Sequence, residues 1–332
     1  MQFRGMISAE RLFSIKTEGD FDTAALAVFK YQAQHCTVYR EYMEMLGVYP
    51  DKIKSLAEIP FLPVEFFKTH RVVSDGKEAE LIFESSGTTG STVSKHYVAE
   101  KEIYIESFTK CFELFYGGAR DYCILALLPS YLERNSSSLV FMAEHLIKGS
   151  QNPQSGFYLS KFKQLSEMLA NLNKEGKKNI LLGVSYALLD FAEQFPMKLE
   201  HTIIMETGGM KGRRKEITRA EMHRALTDAF GVKTIHSEYG MTELLSQAYS
   251  QGNGIFHCPP WMKIILRNPE DPFDVSGERL SGNINIIDLA NIYSCSFIAT
   301  QDVGKINGKG FEVLGRTDNS DLRGCNLLVS EM

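Results

Sequence analysis

Three short runs and one cysteine carry the residue types that could do chemistry in this chain. The first run is Glu84-Ser85-Ser86-Gly87-Thr88-Thr89-Gly90, directly after the apolar Leu81-Ile82-Phe83. A Gly/Ser/Thr loop leaving a strand can turn its backbone N–H groups inward as an anion nest. Glycine permits the close approach of a ligand, and four hydroxyls add donors for phosphate oxygens. No Gly-Lys-Ser/Thr follows, so this is not a Walker A loop. The second run is His236-Ser237-Glu238-Tyr239-Gly240-Met241-Thr242-Glu243. Tyr239 can stack on a planar base, and Glu243 is an oxygen donor suited to Mg²⁺, which takes one or two carboxylates beside phosphate oxygens. The same run also reads as a helix N-terminus with Glu243 in its first turn, where carboxylates are favoured. The third run comprises Thr300-Gln301-Asp302-Val303-Gly304, which reads as the close of one strand, and Gly315-Arg316-Thr317-Asp318, which closes a later one. Asp302 can accept from both hydroxyls of a ribose, and Arg316 can offer a planar fork to phosphate or sugar oxygens. Singly, these are also ordinary hairpin residues. Last, Cys325 lies two residues beyond Arg323, a cation that favours the nucleophilic thiolate. A free cysteine is otherwise most often a small buried hydrophobe.

Positioning such groups requires a substantial scaffold, and the chain has the material for one. Its 332 residues are 44% hydrophobic and 23% charged, enough for a large core in one big domain or two smaller ones. The formal charge of −5 provides no global basic field for nucleic acid or an anionic membrane. Six cysteines without a C-x-x-C pair read as free thiols in a reducing compartment. The first 13 residues carry Arg4, Glu10 and Arg11 and no signal-peptide core. No apolar stretch reaches the ~20 residues of a membrane span. The expectation is a soluble cytoplasmic protein. The histidines show no metal spacing, and His257-Cys258 reads as packing rather than zinc binding.

Periodicity supplies the elements. Leu26, Phe29, Ala33, Cys36, Tyr39, Met43 and Leu46 recur at three- and four-residue steps and predict one amphipathic helix, ended by Gly47 and Pro50. Strands are expected at 81–83, 123–128, 179–182, 202–205 and 232–235. Helices are expected near 99–116, 136–147, 160–174, 185–194 and 214–230. Such alternation implies a largely parallel sheet with helices over its faces. After about residue 255 the texture changes to strands near 261–267, 283–288, 294–300 and 310–315, with no long helical pattern. The expected organisation is a helical N-terminal region over 1–78, an α/β core over 79–255 and a β-rich subdomain over 256–332.

Together and in this order, the runs resemble the adenylate-forming superfamily of acyl-CoA synthetases, nonribosomal-peptide adenylation domains and luciferases. Ser85–Gly90 matches its phosphate loop and Tyr239–Glu243 its Tyr-Gly-x-Thr-Glu motif. Thr300–Asp302 matches its Thr-Gly-Asp ribose motif, with Gln301 in place of Gly. Gly315–Asp318 with Arg323-Gly324 matches its hinge, and Thr207-Gly208-Gly209 lies where that family has Gly-Gly near the adenine. Members usually continue past the hinge into a mobile domain of about a hundred residues with a catalytic Lys. Here Met332 comes 14 residues after Asp318, so that lid and its Lys are expected to be absent. This layout resembles the LuxE-type acyl-protein synthetases. Leu128–Ser137, Thr207–Arg213 and Arg323-Gly324-Cys325 look like that branch.

The resemblance implies the large N-terminal domain of the adenylate-forming fold, helix-flanked sheets with a β-rich C-terminal subdomain. It also implies ATP and Mg²⁺ as cofactors and a carboxylic acid, of the fatty class, as substrate. The phosphates would be held by Ser85, Ser86, Gly87, Thr88, Thr89 and Gly90, with Thr88 in the catalytic set. The nucleotide would also meet Gly208, Gly209, Glu238, Tyr239, Gly240, Met241, Thr242, Asp302 and Arg316, with Lys211 a further ligand contact. Glu243 would hold Mg²⁺. Cys325 would take the acyl group as a thioester and deliver it to a reductase or transferase. The alternatives are an acyl- or aryl-CoA ligase, a stand-alone ligase with a diffusible acceptor, and a non-catalytic nucleotide-binding module.

Overall fold

The computed structural model describes residues 8–85, 92–128, 136–209, 214–215, 217–275 and 279–317. The chain separates into two units that interleave in sequence. Among the described residues, one comprises Cys111–Gly240 and Gln247–His257, and the other comprises residues 8–110, Met241–Ser246 and residues 258–317.

The first unit is built on a six-stranded sheet. Its spatial order is Gly156–Phe157, Cys123–Leu127, Asn179–Val184, Thr202–Thr207, His236–Tyr239 and Ala248–Ser250. The first five strands run parallel, and the last pairs antiparallel with its neighbour. Cys123–Leu127 and Asn179–Val184 are buried at every position, as expected of parallel strands covered on both faces. The helices Ser138–Ser150, Phe162–Lys174, Ser185–Gln194 and Arg219–Phe230 make the crossovers. Leu165, Leu169 and Leu172 form the buried stripe of the second, at helical spacing. The last starts at a capping box in which Thr218 and Glu221 satisfy each other's backbone N–H, and it ends at Gly231 in the left-handed region (φ 62°). The expected strand over 232–235 is displaced: pairing begins at His236, opposite Met205. Residues 232–234 serve instead to lead the chain out of the Gly231 turn.

The second unit carries a five-stranded sheet. Met262–Arg267, Ser281–Asp288 and Phe297–Asn307 pair antiparallel in that order. Leu62–Pro63 lies parallel to the last of these, and Gly310–Arg316 pairs antiparallel with it. Thr300–Gly304 therefore lies inside a long strand and does not close one. Leu81–Glu84 pairs antiparallel with Lys95–Val98 in a separate ribbon, so it is no part of the parallel sheet that sequence alternation suggested. The predicted single helix over 26–46 is two helices, Glu18–His35 and Thr37–Met45. They break at Cys36, which is extended (φ −116°, ψ 99°). Asp75 accepts from the N–H and hydroxyl of Thr37 at 3.3 and 2.8 Å, satisfying the new helix start. Phe29, Tyr39 and Phe61 gather around Phe297 in the core of this unit, with ring centroids 5.9 to 6.2 Å apart. No helix among the described residues is long and apolar enough to cross a membrane.

Candidate active site

In the α/β unit the predicted residues lie at the carboxyl ends of adjacent parallel strands, where open α/β sheets hold ligands. The strand Thr202–Thr207 delivers Gly208 and Gly209, and His236–Tyr239 delivers Gly240. Gly208 has φ 69°, a conformation that strains any side chain, and both it and Gly209 are exposed. Among the described residues, no atom beyond its chain neighbours lies within 4 Å of where a Gly209 side chain would begin. Tyr239 is nearly buried and packs edge-to-face on Phe256, with centroids 5.8 Å apart. Strand register sets Thr207 opposite Glu238, and the Thr207 hydroxyl donates to the Glu238 carboxylate. Burial pushes the Glu238 carboxyl up to about 7; the Thr207 bond pulls it down, and the neighbouring Glu206 charge pushes it up again.

Glu206, also buried, shows the opposite balance. Burial raises its carboxyl most strongly. His223 and Ser237 by hydrogen bond and Arg219 by charge more than offset that, leaving it below the usual range. Arg219 Nε lies 3.2 Å from Glu206 Oε1. Ser185 Oγ is 3.2 Å from Glu206 and 3.1 Å from the Gly208 carbonyl, and shares its proton between them. A partly buried ionic cluster around Glu206 is thus tied through Ser185 to the Gly208 carbonyl.

In the other unit the ribbon Leu81–Glu84/Lys95–Val98 carries the Ser/Thr/Gly loop. Ser85 N–H donates to the Ser94 carbonyl at 3.0 Å, and Ser94 N–H to Ser85 Oγ at 2.9 Å. Lys95 pairs with Glu84 at 3.1 Å. Ser86, Gly87, Thr88, Thr89 and Gly90 lie outside the described residues, as do Lys211 and Cys325. Met241 and Thr242 are half-buried and Glu243 is buried. No helix follows Glu243; a turn leads to the strand Ala248–Ser250. Burial pushes the Glu243 carboxyl up, partly opposed by a hydrogen bond from Ser94 and by the charges of Arg316 and Lys68. Asp302 and Arg316 are opposite each other across paired strands, and Arg316 Nε donates to Asp302 Oδ1 at 3.0 Å. Gln301, the departure from Thr-Gly-Asp, donates to Glu65. Arg267, buried beneath, donates to Asn285 Oδ1 and to the carbonyls of Ile284 and Thr300 at 2.6 to 3.0 Å.

A buried carboxylate whose charge is disfavoured by burial suits a divalent cation, which would supply the counter-charge. Among the described residues no cluster of three or more His, Cys, Asp or Glu could hold a metal alone. Glu243 is the residue here that could hold such a cation. The described cysteines with resolved shifts are pushed up by burial: Cys36 to about 11, Cys258 to about 12, and Cys123 and Cys295 in the same direction. That suppresses thiolate and argues against them as nucleophiles.

Sequence reasoning missed three buried residues around Glu243. His96 Nδ1 lies 2.8 Å from the Thr242 carbonyl, Asn291 Nδ2 lies 2.8 Å from the Glu243 carbonyl, and Asp288 accepts from Leu245 and Ser246. Their distance in sequence left no local signal.

Residues 13–332 match the family model described as acyl-protein synthetase, LuxE. A 66-residue stretch is 38% identical to a long-chain-fatty-acid–luciferin-component ligase of Photorhabdus luminescens, covering 20% of this chain and 56% of that protein. The match thus spans about half the length of that curated relative. A solved 2-hydroxyisobutyryl-CoA ligase, in an open conformation with its acyl-adenylate and CoA, superposes with TM-score 0.64 at 13% identity, over 92% of this chain and 72% of its own. The McyG A-PCP structure with phenylalanyl-adenylate gives 0.53 at 16%, over 83% and 51%. At such identities these structures establish the fold, that of adenylate-forming ligases. With that fold, and with a family match running from residue 13 to the last, the chain belongs to the LuxE acyl-protein synthetase family.

Proposed function

We propose that this chain activates a fatty acid as its acyl-adenylate at the expense of ATP and then takes the acyl group as a thioester on Cys325, for delivery to a protein acceptor. A substrate carboxylate oxygen attacks the α-phosphorus of ATP, the bond to the bridging oxygen breaks, and pyrophosphate leaves. The Cys325 thiolate then attacks the acyl carbonyl and AMP leaves. The first step gathers negative charge on phosphoryl oxygens, so catalysis is largely positioning and electrostatic stabilisation. Ser85–Gly90 would offer hydroxyls and N–H groups to the phosphates, with Thr88 in the catalytic set and Lys211 a further contact. Gly208, Gly209, Glu238, Tyr239, Gly240, Met241 and Thr242 would bind the nucleotide, with Tyr239 against the base. Asp302 and Arg316 would meet the ribose side. Mg²⁺, held by Glu243, would neutralise phosphate charge. The acceptor would be a reductase or transferase protein.

The observation that carries this reading is Glu243. It is a buried carboxylate, bonded by Ser94 on the same ribbon from which the Ser/Thr/Gly loop departs. The test is intact-protein mass after incubation with Mg-ATP and mixed fatty acids, with Cys325→Ala in parallel. A hydroxylamine-labile adduct of acyl size on wild type alone is expected. An adduct that survives Cys325→Ala would remove that residue from the route. No adduct, with acid-dependent ATP–pyrophosphate exchange retained, would identify a ligase with a diffusible acceptor.

A further inference from the structure

We propose that Asp288, Asn291 and His96 are positioning residues that aim the Glu243 carboxylate by fixing the backbone of Thr242–Ser246. The inference rests on the reading that Glu243 holds the divalent cation. All three side chains are fully buried, and each bonds a different part of this one segment. His96 donates from Nδ1 to the Thr242 carbonyl at 2.8 Å, since a carbonyl only accepts. Asn291 donates from Nδ2 to the carbonyl of Glu243 itself, also at 2.8 Å. Asp288 Oδ2 accepts from the N–H groups of Leu245 and Ser246 at 2.8 and 3.0 Å, and Oδ1 accepts the Ser246 hydroxyl at 2.5 Å. The backbone is therefore gripped before, at and after the residue that bears the carboxylate.

The hold is itself braced. Asp288 Oδ1 also accepts from the Ala290 N–H at 3.1 Å, fixing its own rotamer at the end of the strand Ser281–Asp288. Because Ser246 gives its proton to Asp288, Ser107 donates to Ser246 at 3.0 Å. The Trp261 indole N–H is shared between the two serines, at 3.1 and 3.0 Å. His96 stands on the strand Lys95–Val98, which follows the Ser/Thr/Gly loop in sequence after Ser91–Ser94. One ribbon thus both leads out of the phosphate loop and grips the peptide preceding the metal-binding carboxylate. Residues that orient a metal ligand from behind affect affinity for the ion far more than their own contacts suggest.

The test measures ATP binding by calorimetry, and acid-dependent ATP–pyrophosphate exchange, across a series of Mg²⁺ concentrations. Asp288→Asn keeps the shape but removes the charge and turns one of the two acceptor oxygens into a donor facing other donors, and Asn291→Ala removes one neutral bond in case the first variant fails to fold. Ser294→Ala is the control, because its buried hydroxyl bonds the Val72 carbonyl at 2.9 Å, away from Glu243. We expect the half-saturating Mg²⁺ concentration to rise about tenfold in both assays for the two variants, and to stay at the wild-type value in the control. Variants that only melt earlier, with both Mg²⁺ midpoints unchanged, would overturn the positioning role alone. A wild-type protein whose ATP binding and exchange ignore Mg²⁺ would overturn the Glu243 reading and this proposal with it.

Discussion

Glu206 and Glu238 show how differently two buried carboxylates on adjacent strands can be treated. Burial raises both, but Glu206 has the Arg219 guanidinium against it, and among the described residues no cation shifts Glu238. The consequences for stability have opposite sign. In the unfolded chain Glu238 titrates near 4.5, and in the folded protein near 7. Between those values the folded form holds the extra proton, so stability from Glu238 is complete below pH 4.5 and lost as pH rises through about 7. The depressed Glu206 contributes stability above its unfolded value that is lost on acidification. Glu238→Gln should therefore flatten the decline in urea midpoint between about pH 5 and about pH 7.5. Equal declines in wild type and variant would show that Glu238 ionises freely. The sequence displayed Glu238 and Thr207 in two separate runs. Their pairing depends on parallel strand register, which neither run encodes locally. The same applies to Asp288, His96 and Asn291: residue type was readable, but the partner was not.

At the scale of elements, long periodic segments were legible and their interruptions were not. The repeat through Leu26–Leu46 correctly implied helix. The break at Cys36 depends on Asp75, brought to the Thr37 N–H by tertiary structure. Likewise Val232–Ile235 has strand-like residues, yet pairing starts only where the sheet can receive it, at His236. Packing constraints inside the β sheet are equally non-local. Gly282 faces Gly304 across paired strands. A Cβ on Gly282 would lie 2.4 Å from the Arg267 carbonyl oxygen, a backbone atom that cannot swing aside. Gly282→Ala should cost about 1–3 kcal/mol through forced separation of the strands. Gly156→Ala, with nothing among the described residues beyond its chain neighbours within 4 Å of its added methyl, should stay within about 0.5 kcal/mol of wild type. Urea midpoints for the two variants check this, and equal losses would mean that the sheet relaxes around the new methyl.

For the molecule as a whole, the interleaving of the two units matters more than their sizes. The strands His236–Tyr239 and Ala248–Ser250 pair with each other in the α/β unit. The residues that join them, Met241–Ser246, belong to the β-rich unit, where Asp288 holds them. One short covalent link is therefore part of one core and the connection within the other. Releasing Met241–Ser246 loosens the pairing that it closes, because the entropy of closing a short loop must then be supplied again. Trp261, the only tryptophan in the chain, bonds Ser246 within that hold, so its fluorescence reads the β-rich unit at its link. Far-UV circular dichroism reads the helices Ser138–Ser150, Phe162–Lys174, Ser185–Gln194 and Arg219–Phe230 of the other unit. The two signals are expected to share one denaturant midpoint, the signature of a single cooperative transition. Asp288→Asn should shift both midpoints downward together. If Asp288→Asn moves only the Trp261 transition and leaves the helical signal in place, the link transmits nothing, and each unit unfolds on its own terms.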